Sequence, residues 1–228
     1  MTYQEVIDLL QEHANDRGIK HWARTYEGPL KTFGIGLTQL KKLSKKVGRN
    51  HELALELWES EYWDAKQMAC LVEEPKKVTR EQVEAQIPQM KGWMATHVYV
   101  SNVMPKVACQ QELAVEYIES TDDQQRRCGW LMLSNIAKND KKLDDAFFKP
   151  YIAKAKAELQ GEENFVKDAM NGALLYIGQR SAILHKKCLS AAEAIGAVEV
   201  DYGDNSCVAV DVVKHLSNPR ILKKVGVA

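Results

Sequence analysis

The chain has no run approaching the roughly 18 apolar residues that a membrane-crossing helix needs, and its first residues, MTYQEVIDLLQEHANDRG, carry Glu5, Asp8 and Glu12 where a signal peptide would be apolar. A soluble, cytoplasmic protein is expected. Net charge is also missing. Lysine plus arginine total 31 and aspartate plus glutamate total 31, which removes an overall basic surface as an argument for nucleic-acid binding and leaves only local clustering. Cysteines are few, odd in number and scattered: Cys70, Cys109, Cys128, Cys188 and Cys207. None is at CxxC spacing, so neither a zinc knuckle nor a dithiol redox site is suggested, and buried reduced thiols are expected. The six histidines are as dispersed, which argues against a metal site, and nothing points to a cofactor. Strand patterns are nearly absent before residues 196–210, and only six prolines interrupt the chain, where helices would start or stop.

What is present is helical periodicity. Val6, Leu9, Leu10 and Ala14 share one stripe, as do Phe147, Tyr151, Ile152 and Ala155, and Phe165, Ala169, Ala173 and Ile177. Near the C-terminal end, Val198 and Val200 alternate with Glu199 and Asp201 before Gly203-Asp204-Asn205, which reads as a short hairpin or an ordered loop. Residues 52–60 (ELALELWES) and 112–120 (ELAVEYIES) are identical at six of nine positions, 60 residues apart. Each precedes another apolar helix, DAKQMACLV or QQRRCGWLML. A recurring helix pair is the unit of an α-solenoid, although this spacing exceeds one HEAT unit of roughly 40–47 residues. The expectation is an all-α, single HEAT-like-repeat domain over residues 1–228.

Charge is segregated along the chain. Between Gly28 and Asn50 there are six basic residues and no acidic one, and within LTQLKKLSKKVG the stripe Leu37, Leu40 and Leu43 leaves Lys41, Lys42, Lys45 and Lys46 facing outward. Further basic pairs stand at Arg126-Arg127 and Lys141-Lys142, while acidic residues gather between Glu52 and Glu74. In a curved stack this would give a basic groove and an acidic back; the plainer account is a solvated surface.

Several stretches together resemble the HEAT-like-repeat DNA alkylation repair family, the AlkD-like DNA glycosylases. They are FGIGLTQLKKLSKKV (33–47), LALELWESEYWDAKQMACLV (53–72), QQRRCGWLMLSNIAKND (124–140), FVKDAMNGALLYIG (165–178) and IGAVEVDYGDNSC (195–207). They follow one another in the family's order across most of the chain. The last is similar to a VEVDHG-type tail of one branch, with Tyr202 in place of histidine. The resemblance implies stacked helix pairs whose basic concave face holds duplex DNA, alkylated or branched, as a monomer. It also implies release of cationic alkylated purines without base flipping. Such chemistry needs aromatic faces for the cationic lesion, a carboxylate beside the sugar where positive charge develops, and basic residues on the flanking phosphates.

The site carries over in part. The family's tryptophan and aspartate, four apart, fall on His97 or Val98 and on Ser101 or Asn102, so no carboxylate is supplied. The arginine of its RRxA-type helix start matches Arg127, but Gln124 stands where a tryptophan is usual, and the second aromatic wall falls on Gly172. The candidate catalytic residues are therefore Arg127, Asn102 and Asp168, the last as a displaced carboxylate. Lys41, Lys42, Lys45, Lys46, Arg126, Arg127 and Lys142 are the candidate DNA contacts. Trp93, Trp130 and Tyr99 could rebuild an aromatic wall, though core packing suits them better. Three readings follow: a glycosylase with a rearranged site, a non-catalytic binder of damaged or branched DNA, or a protein-binding α-solenoid.

Overall fold

The computed structural model describes residues 1–25, 29–90, 93–203 and 206–227, with only the backbone of Thr25, Trp93 and Met94. The described residues form fourteen α-helices and no strand beyond an isolated bridge between Lys31 and Tyr62. None of the helices is long and apolar enough to cross a membrane. The chain divides into two compact units, residues 1–79 with 97–107, and residues 80–96 with 108–228.

The first unit holds α1 (Tyr3–Glu12), α2 (Asp16–Thr25), α3 (Leu37–Val47), α4 (His51–Trp58) and α5 (Trp63–Val72). Helix α1 opens with a capping box between Thr2 and Glu5 and buries Val6, Ile7 and Leu10. It ends at Glu12, so Ala14 lies beyond the helix and is exposed. Helices α4 and α5 pack as a pair, α1 packs on both, and α3 packs on α5. Their shared core includes Leu10, Leu40, Leu43, Leu57 and Met68. The start of α5 is held by Asp64, which is fully buried. Its carboxylate accepts the Thr32 hydroxyl and the Phe33 N–H, each at 2.7 Å, and the Ile35 N–H at 2.9 Å. The turn thus pinned passes Gly34 at φ +71°, where a Cβ would run into the Asn15 carbonyl and the Ile19 nitrogen; only glycine fits.

The second unit holds α6 (Arg80–Gln86), α8 (Gln110–Ile118), α9 (Asp123–Asn139), α10 (Asp145–Glu158), α11 (Asn164–Ile177), α12 (Ala182–Ile195), α13 (Val212–Leu216) and α14 (Pro219–Val225). Helix α7 (Trp93–Asn102) is divided between the units at His97. Helix α9 is the hub, packed on α8 and on α11, and α12 packs on α10, α11 and α13.

The repeat seen in the sequence is a repeat of structure, one copy in each unit. Leu53, Ala54, Leu57 and Trp58 of α4 are buried, as are their counterparts Leu113, Ala114, Tyr117 and Ile118 of α8. The turns that follow match as well. The Ser60 hydroxyl accepts the Tyr62 N–H at 3.2 Å, and the Ser120 hydroxyl accepts the Asp122 N–H at 3.1 Å. In each case a serine two residues ahead of the N-cap turns the chain into the second helix.

Three details differ from the sequence expectations, and a fourth decides between two alternatives. Pro150 lies inside α10 and not at its end. Of the hairpin and loop alternatives for residues 196–210, the described residues form an ordered loop; Asp204 and Asn205 of the expected turn lie outside the described residues, as does Gly28 of the basic run. The acidic stretch is not a uniform outer face, because Asp64 and Glu73 are buried. Among the cysteines, Cys70, Cys128 and Cys188 are buried, Cys109 is half-buried and Cys207 is exposed. Burial pushes the Cys70, Cys128 and Cys188 thiols up to about 12, so these three remain protonated and inert at neutral pH.

Candidate nucleic-acid interface

In the first unit the candidate residues gather on α3. Lys41, Lys42, Lys45 and Lys46 are all exposed, and none is paired with a carboxylate among the described residues. Lys41, Ser44, Lys45 and Gly48 stand at i, i+3, i+4 and i+7, one face of the helix. With Arg49 and Asn102 they line a shallow concavity of about 380 Å³. Arg49 is anchored by donating to the Glu73 carbonyl. Asn102 donates its amide to the Val98 carbonyl at 2.7 Å, one turn back along α7, which fixes its orientation at the edge of the concavity. Ser44 and Arg49 are absent from the sequence-derived set. The four-residue period of α3 could have found Ser44, whereas Arg49 joins the group through the fold of the α3–α4 turn.

Neither register of the α7 motif supplies a carboxylate. Val98 is 2% exposed and belongs to the core, Ser101 is exposed, and Asn102 carries an amide. Tyr99 is also core and meets Trp58 edge-to-face at 5.6 Å. The Trp93 side chain lies outside the described residues.

In the second unit, Arg127 and Asp168 are brought together by the packing of α9 on α11. Arg127 is only 3% exposed. Its guanidinium stacks over Phe165 at 4.7 Å, and burial lowers its proton affinity, opposed in part by the charges of Asp168 and Glu163. An arginine stays charged under such a perturbation, so a cation is held in the interior beside a carboxylate. Asp168 in turn accepts the Tyr202 hydroxyl at 2.7 Å. Burial raises the Tyr202 phenol above its ordinary range, and the Asp168 hydrogen bond raises it further. At the start of α9, Arg126 donates to Asp123, to Glu162 at 3.0 Å and to the Ser120 and Thr121 carbonyls. With so many donors engaged, Arg126 is a poor candidate for phosphate contact. Lys142 is exposed in the turn after α9, with its N–H on Asp140 at 2.6 Å.

The other expected aromatic positions are also filled differently. Gln124 donates its amide to the Met90 carbonyl at 2.8 Å and to the Thr96 hydroxyl at 3.0 Å, so it works as a tie between segments. At Gly172 a Cβ would meet nothing within 4 Å, leaving open space on α11. Trp130 is core and meets Tyr151 edge-to-face.

Tyr202 reaches Asp168 because its loop is stapled along α11. Asn164 exchanges two hydrogen bonds with the Asp201 backbone, at 2.6 and 2.8 Å, and Asn171 donates to the Val210 carbonyl at 2.7 Å. Gln160 holds the loop's first residues through the Ile195 and Ala197 carbonyls. Asn164, Asp168 and Asn171 stand at i, i+4 and i+7, a polar stripe on a largely apolar helix. That pattern is visible in the sequence and is the signal that could have found this cluster.

Comparison with known proteins places these features in a family. The profile of the DNA alkylation repair enzyme family matches residues 6–197. An uncharacterized protein of Listeria innocua is 30% identical over 96% of this chain and 98% of its own length, and one of Listeria monocytogenes is 29% identical over the same shares. A solved structure aligns over 99% of this chain and 97% of its own with a TM-score of 0.85 at 21% identity. It belongs to a protein described as one of a new family related to the HEAT-like repeat DNA glycosylases with affinity for branched DNA structures. The fold is therefore the HEAT-like helical repeat anticipated from the sequence, and the chain belongs to the DNA alkylation repair enzyme family.

Proposed function

We propose that this chain binds DNA, with preference for branched or damaged structures, and that it excises alkylated bases weakly or not at all. The observation that carries the binding is the face of α3, where Lys41, Lys42, Lys45 and Lys46 are exposed without carboxylate partners. Cations so placed are available to a phosphate backbone in a way that Arg126 is not. Family membership supports DNA as the target, and the structurally similar protein with affinity for branched DNA supports the preference. Weak excision follows from Ser101 and Asn102, which offer no anion to a transition state of growing positive charge. Losing one well-placed electrostatic group commonly costs on the order of 10²- to 10³-fold in rate. Asp168, whose charge acts on Arg127, already accepts the Tyr202 hydroxyl.

The test pairs two measurements on the whole protein. Fluorescence anisotropy with a four-way junction and a linear duplex of equal length should show tighter binding to the junction. Single-turnover base release from a 7-methylguanine duplex should stay close to spontaneous depurination. Absence of binding to either DNA at low salt would overturn the proposal. Strong release that Arg127→Ala abolishes would overturn its non-catalytic part.

A further inference from the structure

Helices α10 and α12 pack side by side, and a groove of about 590 Å³ runs along their seam. It is lined by Ile152 and Ala153 from α10 and Ile183 from α12, together with Lys149 and Lys156 from α10 and Lys186 and Lys187 from α12. No acidic side chain lines it, and none of the four lysines is paired among the described residues. Lys154 of the same helix shows what pairing looks like, with Glu119 at 3.0 Å and Glu158 at 3.2 Å. Lys149 and Lys156 are seven residues apart, two helical turns or about 10 Å. Ile183 is 60% exposed. Ile183 therefore offers uncovered aliphatic surface inside a concavity that four cations surround.

The groove combines two requirements that one occupant meets together. Four unpaired lysines attract carboxylates or phosphates. The exposed isoleucine in the lining rewards burial of aliphatic side chains, and a phosphate backbone has none to offer. An amphipathic helix laid along a groove presents apolar residues at i, i+3, i+4 and i+7, the same period on which α10 and α12 are built. We propose that the α10–α12 groove docks an acidic amphipathic helix of a partner protein, its apolar stripe on Ala153 and Ile183 and its carboxylates on the four lysines. The interaction is separate from the DNA-binding reading and stands or falls without it.

The experiment uses the full chain and a fluorescein-labelled synthetic helix of roughly 16 residues, about 24 Å long, with a leucine stripe flanked by glutamates. A scrambled peptide of identical composition controls for charge. The amphipathic peptide should bind about ten-fold or more tightly than the scrambled one. Ile183→Asp should remove most of that preference. This substitution falls in the first turn of α12, where an added carboxylate suits the helix dipole and folding should be kept; an unchanged thermal melt checks this. Lys186→Glu with Lys187→Glu should weaken the peptide by roughly ten-fold at low salt. Equal binding of both peptides, or an unaffected Ile183→Asp variant, would overturn the proposal. So would displacement of the peptide by linear duplex together with loss of duplex binding in the double charge reversal, which would assign the groove to DNA.

Discussion

In the first unit the buried charged side chains are carboxylates, Asp64 and Glu73, and the cations of α3 stand at the surface. In the second the buried ion is a guanidinium, Arg127, and carboxylates such as Asp168 and Glu163 act on it. Two other arginines of the second unit are turned to structural use. Arg126 bolts the α8–α9 turn to Glu162, and Arg180 donates to the Ala137, Asp140 and Leu143 carbonyls while stacking on Phe148 at 4.3 Å. A planar fork of donors on a stackable surface suits arginine to closing turns, whereas a hydrated ammonium on a flexible stem stays at the surface. A count of basic residues therefore says little about where a polyanion can sit. The type of cation and what already engages it decide the matter.

The largest expected effect tests the first half of this comparison. Asp64→Ala would strand the Thr32 hydroxyl and the Phe33 and Ile35 N–H groups in the interior. Each donor left buried without a partner costs about 1–3 kcal/mol, so urea unfolding should show a total loss of about 3 kcal/mol or more. A loss below about 1 kcal/mol, within the range of an ordinary hydrogen bond, would mean that the carboxylate does not organise the turn.

Arg127→Ala tests the second half and should cost about 2–3 kcal/mol. It removes a charged partner of Asp168 and the stack on Phe165. Arg127→Lys should recover only part of this, since an ammonium cannot reproduce a planar stack. Full rescue by lysine would show that charge alone matters there.

Much of this architecture was legible in the sequence. The two nine-residue segments mark α4 and α8, and the buried positions in one copy are those buried in the other, because a helix pair buries the same stripe wherever it recurs. The outward lysines of α3 followed from Leu40 and Leu43. The polar interior was not legible. Asp64 reads as one acid in an acidic stretch, and only the return of residues 32–35 over α5 shows that its partners are backbone N–H groups far away in the chain. Arg126 and Arg127 look interchangeable as a pair, yet adjacent positions on a helix point about 100° apart. One therefore reaches the turns and the other the core. Tyr202 finds Asp168 only because a coil segment, which has no periodicity to read, is stapled to α11.

A smaller effect concerns the exposed cations themselves. If Lys41, Lys45 and Lys46 meet phosphates, log affinity for duplex should fall with log salt at about −0.9 per phosphate neutralised. Lys45→Ala with Lys46→Ala should flatten that slope by up to about two units and leave the urea midpoint nearly unchanged. Arg126→Ala should do the reverse, losing stability with little change of slope. An equal change of slope in both variants would break the distinction between structural arginines and surface lysines.

The smallest effect belongs to Tyr202. Tyr202→Phe deletes the hydroxyl that donates to Asp168 at 2.7 Å and leaves the ring. Because the pair is partly exposed, the loss should be about 1 kcal/mol. Its pH dependence identifies the cause. The folded protein holds the phenolic proton more tightly than the unfolded chain does, through burial and the Asp168 hydrogen bond. The contribution is therefore whole below about pH 10, the ordinary tyrosine value, and is lost as the pH rises from there toward the higher folded-state value. Urea unfolding of both proteins at about pH 8 and about pH 10.5 should show the difference between them shrinking at the higher pH. Other tyrosines titrate in the same range, but they are common to both proteins and cancel. A difference that stays constant across the two pH values would mean that folding does not tighten the hold on the phenolic proton, and would rule out the hydrogen bond to Asp168 as the source of the stabilisation.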